Sequence, residues 1–327
     1  MTIRKTRLIS VAALVTLIAV LGNTKSVPPV DVSVPKEVPA ALTLPFDDYK
    51  FDQPELSILE RAYLLLVNEC MLARGFDVAV PSYPSSHTPE IGNSRRYGVA
   101  DVVTARRFGY HFPADDGSRR TENWEAGLGQ QEQTALYGEP GQTGCVDVAE
   151  SELQKGVPPA DRSWLTTQDF QSLEDSAEDA RVIAAKREWR ECMTRFGRPY
   201  SDPETAIYDP QWKLDELVIT SNERETAYAD VLCKDASRLI SIWHVVESAA
   251  QRGVIARHPA QFTALRENKE HRLTNARCVL ARSEPMCEPA DTAGSSAGPP
   301  STSTSSSPPH PGEPFWSRST ASTTIAW

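Results

Sequence analysis

Glu69-Cys70-Met71-Leu72-Ala73-Arg74-Gly75-Phe76 and Glu191-Cys192-Met193-Thr194-Arg195-Phe196-Gly197-Arg198 are two versions of one local design. In each, an apolar stripe at helical spacing runs into Glu-Cys-Met and is followed within a few residues by Arg and Gly, the signature of a helix end. The first stripe is Leu59, Tyr63, Leu66, Val67, Cys70 and Met71; the second is Val182, Ala185, Trp189, Cys192, Met193 and Phe196. Asp52 can cap the first helix with Glu55 as its return partner and Pro54 in the first turn. Glu174, Asp175, Glu178 and Asp179 load the early part of the second with the charge that a helix start favours.

Each segment is later followed by a cysteine two residues ahead of an acid, in Gly144-Cys145-Val146-Asp147 and Leu232-Cys233-Lys234-Asp235, and each of these leads toward a helical patch. A duplicated helix-loop-helix unit closed by one disulfide per copy explains the pattern. The expected pairs are Cys70 with Cys145 and Cys192 with Cys233, with Cys278 and Cys287 as the third. Spacing alone leaves other pairings open.

Outward from these segments, residues 76–165 are broken by Pro and Gly, with short helical patches expected after Asp101 and after Cys145. A long helix is expected from Ser221 to Ala250, capped by Thr220 with Glu223, striped by Tyr228, Val231, Leu239, Ile242, Trp243 and Val246, and ended by Gly253. Pro259 opens a last helix carrying Phe262, Leu265, Leu273, Ala276 and Leu280, which would fold back on its predecessor. The expected fold is mainly α: a disulfide-braced helical domain over 52–282, in two related halves at about 52–165 and 166–282, with an irregular loop-rich middle and a C-terminal antiparallel helical hairpin.

The 327 residues, 40% of them hydrophobic, suffice for a real core. A formal charge of -10 repels phosphate backbones, so nucleic acid is not an expected partner. Residues 1–26 read as an export signal: Arg4, Lys5 and Arg7 precede an uncharged run from Leu8 to Leu21, and Gly22 offers a cleavage point. The run is short for a membrane span, so membrane contact is expected only if this segment stays uncleaved. Val20-Leu21-Gly22-Asn23 resembles a bacterial lipobox, with Asn23 in place of the cysteine whose sulfur thioether lipidation needs, so no lipid anchor is expected there. Residues 27–51 suit an extended Pro-rich stalk, and 283–327 a disordered Ser/Thr/Pro-rich tail.

Tyr97, Phe108, Tyr110 and His111 form the densest aromatic group and either line a ligand groove or seal the first helix. Asp115, Asp116, Glu122 and Trp124 beside His111 are the raw material of a sugar-cleaving site, and equally of an ordinary acidic loop. His244 and Glu247 lie three apart on a helix but are too few for a metal centre. The 174–179 acids lack the Gly turn of a calcium loop. No Cys-x-x-Cys, His-Glu-x-x-His, Gly-x-Ser-x-Gly or phosphate-cradling glycine motif is present, so no metal, cofactor or catalytic residue is assigned.

Together the Glu-Cys-Met helix ends, Tyr97-Gly98-Val99-Ala100-Asp101 through Ala105-Arg106-Arg107-Phe108-Gly109-Tyr110-His111, and Ala229-Asp230-Val231-Leu232-Cys233-Lys234 resemble uncharacterised secreted proteins and lipoproteins of actinobacteria. The likeness runs from about Asp52 to Arg282 and brings no activity with it. The expectation is an exported cell-envelope protein, secreted or held by an uncleaved N-terminal segment, that binds an envelope protein or polymer rather than acting as an enzyme. An exported hydrolase using the loop carboxylates is the alternative.

Overall fold

The computed structural model describes residues 42–78, 80–81, 92–112 and 124–281. The leader, the tail, Cys287, Asp115, Asp116 and Glu122 lie outside them. Among the described residues, ten α-helices make the body mainly helical. α1 (Gln53–Ala73) is capped as expected, with the Asp52 carboxylate accepting the Glu55 N–H and the Glu55 side chain accepting the Asp52 N–H. α2 (Val102–Phe108) is capped by Asp101. α3 (Gln130–Tyr137), a hairpin of β1 (Gly138–Glu139) with β2 (Gln142–Thr143), and α4 (Cys145–Leu153) give the middle more order than its Pro and Gly content implies.

α5 (Arg162–Ala177) and α6 (Ala180–Arg195) divide what the sequence reads as one acidic helix start. Glu174 and Asp175 fall in the last turn of α5, and only Asp179 caps α6, accepting the Arg181 N–H. Phe196, expected on the buried stripe, is half exposed beyond the end of α6. The short α7 (Pro203–Ile207) leads to α8 (Ser221–Ala236), α9 (Leu239–Arg257) and α10 (Pro259–Leu280).

The two Glu-Cys-Met helices end identically. Gly75 and Gly197 take φ of 86° and 74°, and the following N–H groups, of Phe76 and Arg198, both return 3.0 Å to the carbonyls of Met71 and Met193. This is the closure that a glycine in the left-handed region permits. Cys70 is bonded to Cys145, and Cys192 to Cys233, with Cα separations of 5.6 and 5.5 Å. The second partners differ: Cys145 opens α4, whereas Cys233 lies within α8 rather than ahead of a new helix. Cys278 is itself disulfide-bonded.

The helix expected over Ser221–Ala250 is broken. The Ser237 hydroxyl bonds back to the Cys233 carbonyl, Arg238 takes φ of 54°, and α9 then runs through Gly253 instead of ending there. The hairpin expected of α9 and α10 is also looser than its stripes suggest. Leu273, Ala276 and Val279 of α10 pack with α1, α3 and α4, while Phe262 and Leu265 share a smaller cluster with Val254 and Ile255 of α9.

One core gathers α2, α5, α6, α8 and α9 around Trp189, Trp212 and Trp243; another joins α1, α3, α4 and α10 around Tyr63, Val67 and Met71. A fully buried side chain of this size contributes roughly 1.5–3 kcal/mol. The point near residue 165 that separates the two cysteine units does not separate the cores, because α2 packs on α8 and α10 covers α1 and α4. Nor does the stalk extend to 51. Leu42 joins the first core, and the 3-10 turn Pro45–Tyr49 inserts Phe46 and Tyr49 against Phe262, Leu265, Val254 and Leu165. Four apolar residues, Leu42, Leu44, Phe46 and Tyr49, bury more surface than a free segment would leave in water.

Candidate functional site

Three buried polar centres are candidates. The first joins distant parts of the chain. Arg96 donates to Glu247 of α9 and to both oxygens and the carbonyl of Asp169 of α5; Lys50 reaches Asp169 at 2.9 Å. The Tyr97 hydroxyl donates to Glu247 at 2.7 Å, and Gln251 donates to both carboxylates while its own oxygen accepts the Phe46 N–H. Two cations face two anions, and the acceptors are filled. Burial pushes the Asp169 carboxyl up, but Lys50 and Arg96 outweigh it and hold the group below its ordinary value. Burial and the neighbouring Glu247 charge raise the Tyr97 phenol far above its usual range. Such a centre fixes geometry.

In the second centre, Asp230 and Lys234 stand one turn apart on α8, both wholly buried, at 2.9 Å. Lys234 also donates to the Val99 carbonyl, and the Trp189 indole donates to Asp230. Desolvation raises Asp230 despite these donors. The i, i+4 spacing is visible in the Asp230-to-Lys234 stretch and is the one signal in the sequence for this pair.

The third centre is made by Glu223, which the sequence casts as a return partner for Thr220. Thr220 does cap α8, but the Glu223 side chain turns inward and accepts Tyr110 N–H, His111 N–H and the His111 ring. Gly109 is needed here. Its φ is 59°, and a Cβ would run into the Glu223 carboxylate. Arg95 closes the other side through the carbonyls of Tyr110 and His111. Nδ1 of His111 is thereby engaged, while among the described residues His111 Nε2 and Glu223 Oε2 are buried without a hydrogen-bond partner. A carboxylate on one imidazole nitrogen selects the tautomer presented by the other.

The four residues of the expected groove are thus spread among different neighbours. Tyr97 stacks near Trp243 and bonds Glu247, Tyr110 packs near Trp212, and His111 bonds Glu223; all three are buried. Phe108 is half-buried and carries the Arg107 guanidinium on its ring. His244 and Glu247 part company, His244 lying against the Thr43 carbonyl and Glu247 facing Arg96. Among the described residues no group of His, Cys, Asp and Glu is arranged to hold a metal ion.

The disulfides Cys70–Cys145 and Cys192–Cys233 point to an oxidising, extracytoplasmic environment. Among the described residues no helix is long and apolar enough to cross a membrane. No protein-family model, curated protein or solved structure matches the chain.

Proposed function

We propose that the protein is exported and works in the cell envelope as a binding or interaction protein, its helical body braced by disulfides, as the likeness to secreted proteins and lipoproteins of actinobacteria implies. The observation that carries this reading is the pair of cross-links, Cys70–Cys145 and Cys192–Cys233, together with the use of the buried charges of Arg96, Asp169, Glu247 and Glu223 to hold segments to one another. Charges committed in this way stiffen a scaffold for recognition. The test is alkylation of producing cells before lysis, then fractionation and crosslinking on intact cells. The expected result is a protein outside the cytosol with blocked cysteines, linked reproducibly to one envelope protein or polymer. A cytosolic protein with free thiols overturns the reading.

A second reading, an exported hydrolase, draws on the His111 ring, held by Glu223 with Nε2 unpaired. It requires release of soluble fragments from isolated envelope polymer, lost in His111→Ala. Binding of the polymer without release favours the first reading.

A further inference from the structure

The Asp230–Lys234 pair of α8 is arranged for a reaction as well as for an ion pair. Lys234 Nζ stands 2.9 Å from Asp230 Oδ2, and neither side chain is exposed to solvent. An amine held that close to one carboxyl oxygen lies beside the carboxyl carbon as well. Its second contact, 3.1 Å to the Val99 carbonyl, fixes the direction it presents. Gly98 leaves room for this approach, since a Cβ there would run into Nζ. At the other carboxyl oxygen, Oδ1, the Trp189 indole N–H donates at 2.8 Å.

The surroundings match an amide better than two ions. An ammonium has three hydrogens, and this one finds two acceptors among the described residues. Burial raises the Asp230 carboxyl even with Lys234 and Trp189 donating to it, which makes it a ready acceptor for a Lys234 proton. An amide joining the two side chains needs one donor for its oxygen and one acceptor for its N–H, and Trp189 and Val99 already supply them. We propose that Lys234 Nζ and Asp230 Cγ join in an intramolecular isopeptide bond, a covalent staple one helical turn long beside the Cys192–Cys233 disulfide. One Lys234 proton passes to Oδ2, and the freed lone pair attacks Cγ. The charge that develops on Oδ1 is met by the Trp189 N–H. A second nitrogen proton passes to Oδ2, the Cγ–Oδ2 bond breaks, and water leaves. Nothing is oxidised or reduced, and no co-reactant is consumed. Fixed proximity replaces an encounter in solution, and the dry core opposes the return of water. The bond is independent of the function proposed above.

Peptide mapping of the full-length protein, folded first and then reduced, alkylated and digested with trypsin, tests the assignment. Trypsin does not cut after an acylated lysine, so the segment from Glu225 to Arg238 is expected uncut, lighter by one water, and without fragment ions from breaks between 230 and 234. A peptide of full mass ending at Lys234 overturns the bond. So does a peptide that has lost water but still ends at Lys234, the mark of a succinimide at Asp230. In Lys234→Met the same segment is expected at full mass, and loss of water there overturns the bond. Trp189→Phe keeps an aromatic ring and removes the N–H, and is expected to link roughly a hundredfold more slowly after synthesis. Linkage at the wild-type rate in that variant overturns the proposed route. Should either variant not fold, the mass and the cleavage pattern of the wild-type segment decide the matter alone.

Discussion

Nδ1 of His111 stands 2.8 Å from Oε1 of Glu223, and the same oxygen accepts the backbone N–H groups of Tyr110 and His111 at 2.8 and 3.3 Å. One buried carboxylate therefore fixes the turn after α2 to the first turn of α8. Glu223→Ala strands donors that water cannot easily reach, at about 1–3 kcal/mol for each buried orphan. Its expected cost is roughly 3–5 kcal/mol by urea denaturation. Glu223→Gln keeps an oxygen in place and should lose clearly less. Equal losses for the two variants would mean that the side chain matters by its volume alone.

The disulfides span 75 and 41 residues of sequence. Loop-closure entropy assigns them roughly 4.5 and 4 kcal/mol. Cys70→Ser with Cys145→Ser, and Cys192→Ser with Cys233→Ser, should each lower the unfolding free energy measured by urea denaturation by amounts of that order. The Met71 and Met193 helix closures do not depend on sulfur, so far-ultraviolet circular dichroism of each variant should stay helical below its lowered midpoint.

Much of the helical frame is legible locally. Asp52 with Glu55, Asp101 before α2, and Gly75 and Gly197 after the Glu-Cys-Met turns each announce a helix boundary through hydrogen bonds made within a few residues. The cysteine pairing is legible because the unit repeats. α5 is harder to read because its inward face uses Ser172 and Ser176, which return their hydroxyls to the Gln168 and Leu173 carbonyls. Ser176 then accepts the Trp243 indole N–H, so a polar residue takes a core position and the apolar period fades. The break at Arg238 carries neither Gly nor Pro. Arg96, Asp169 and Glu247 look like surface charges in sequence, since only the folded chain brings residues 73 and 151 positions apart together.

Asp169 gives the protein a pH dependence of definite sign. Burial works against its charge, but Lys50 and Arg96 leave its folded pKa below that of an ordinary aspartate. A depressed carboxyl contributes stability that is fully present above its unfolded value and is lost as the pH falls through the folded one. Asp169→Asn should therefore flatten the acid limb of the stability curve below about pH 4. Asp230, raised by burial, contributes the opposite slope, so Asp230→Asn should not flatten that limb. Parallel acid limbs for wild type and Asp169→Asn, followed by urea midpoints, would show that the Arg96 centre does not govern acid unfolding.

The segment from Leu42 to Lys50 is bound to the body by more than apolar contact. Phe46 is wholly buried with its ring centroid 5.3 Å from that of Phe262, its N–H donates to Gln251, and Lys50 reaches Asp169. Asn93 donates to the Leu42 carbonyl and to Asp47. A Pro-rich composition reads the same in sequence whether a segment runs through solvent or lies in a groove, so only a change to its apolar side chains distinguishes the two. Phe46→Ala should cost about 3–5 kcal/mol, the usual range for an aromatic side chain removed from a core. It should also make the chain near residues 42–50 cleavable by a nonspecific protease under native conditions. A free stalk would give a change within about 0.5 kcal/mol and no new cleavage beyond that of wild type.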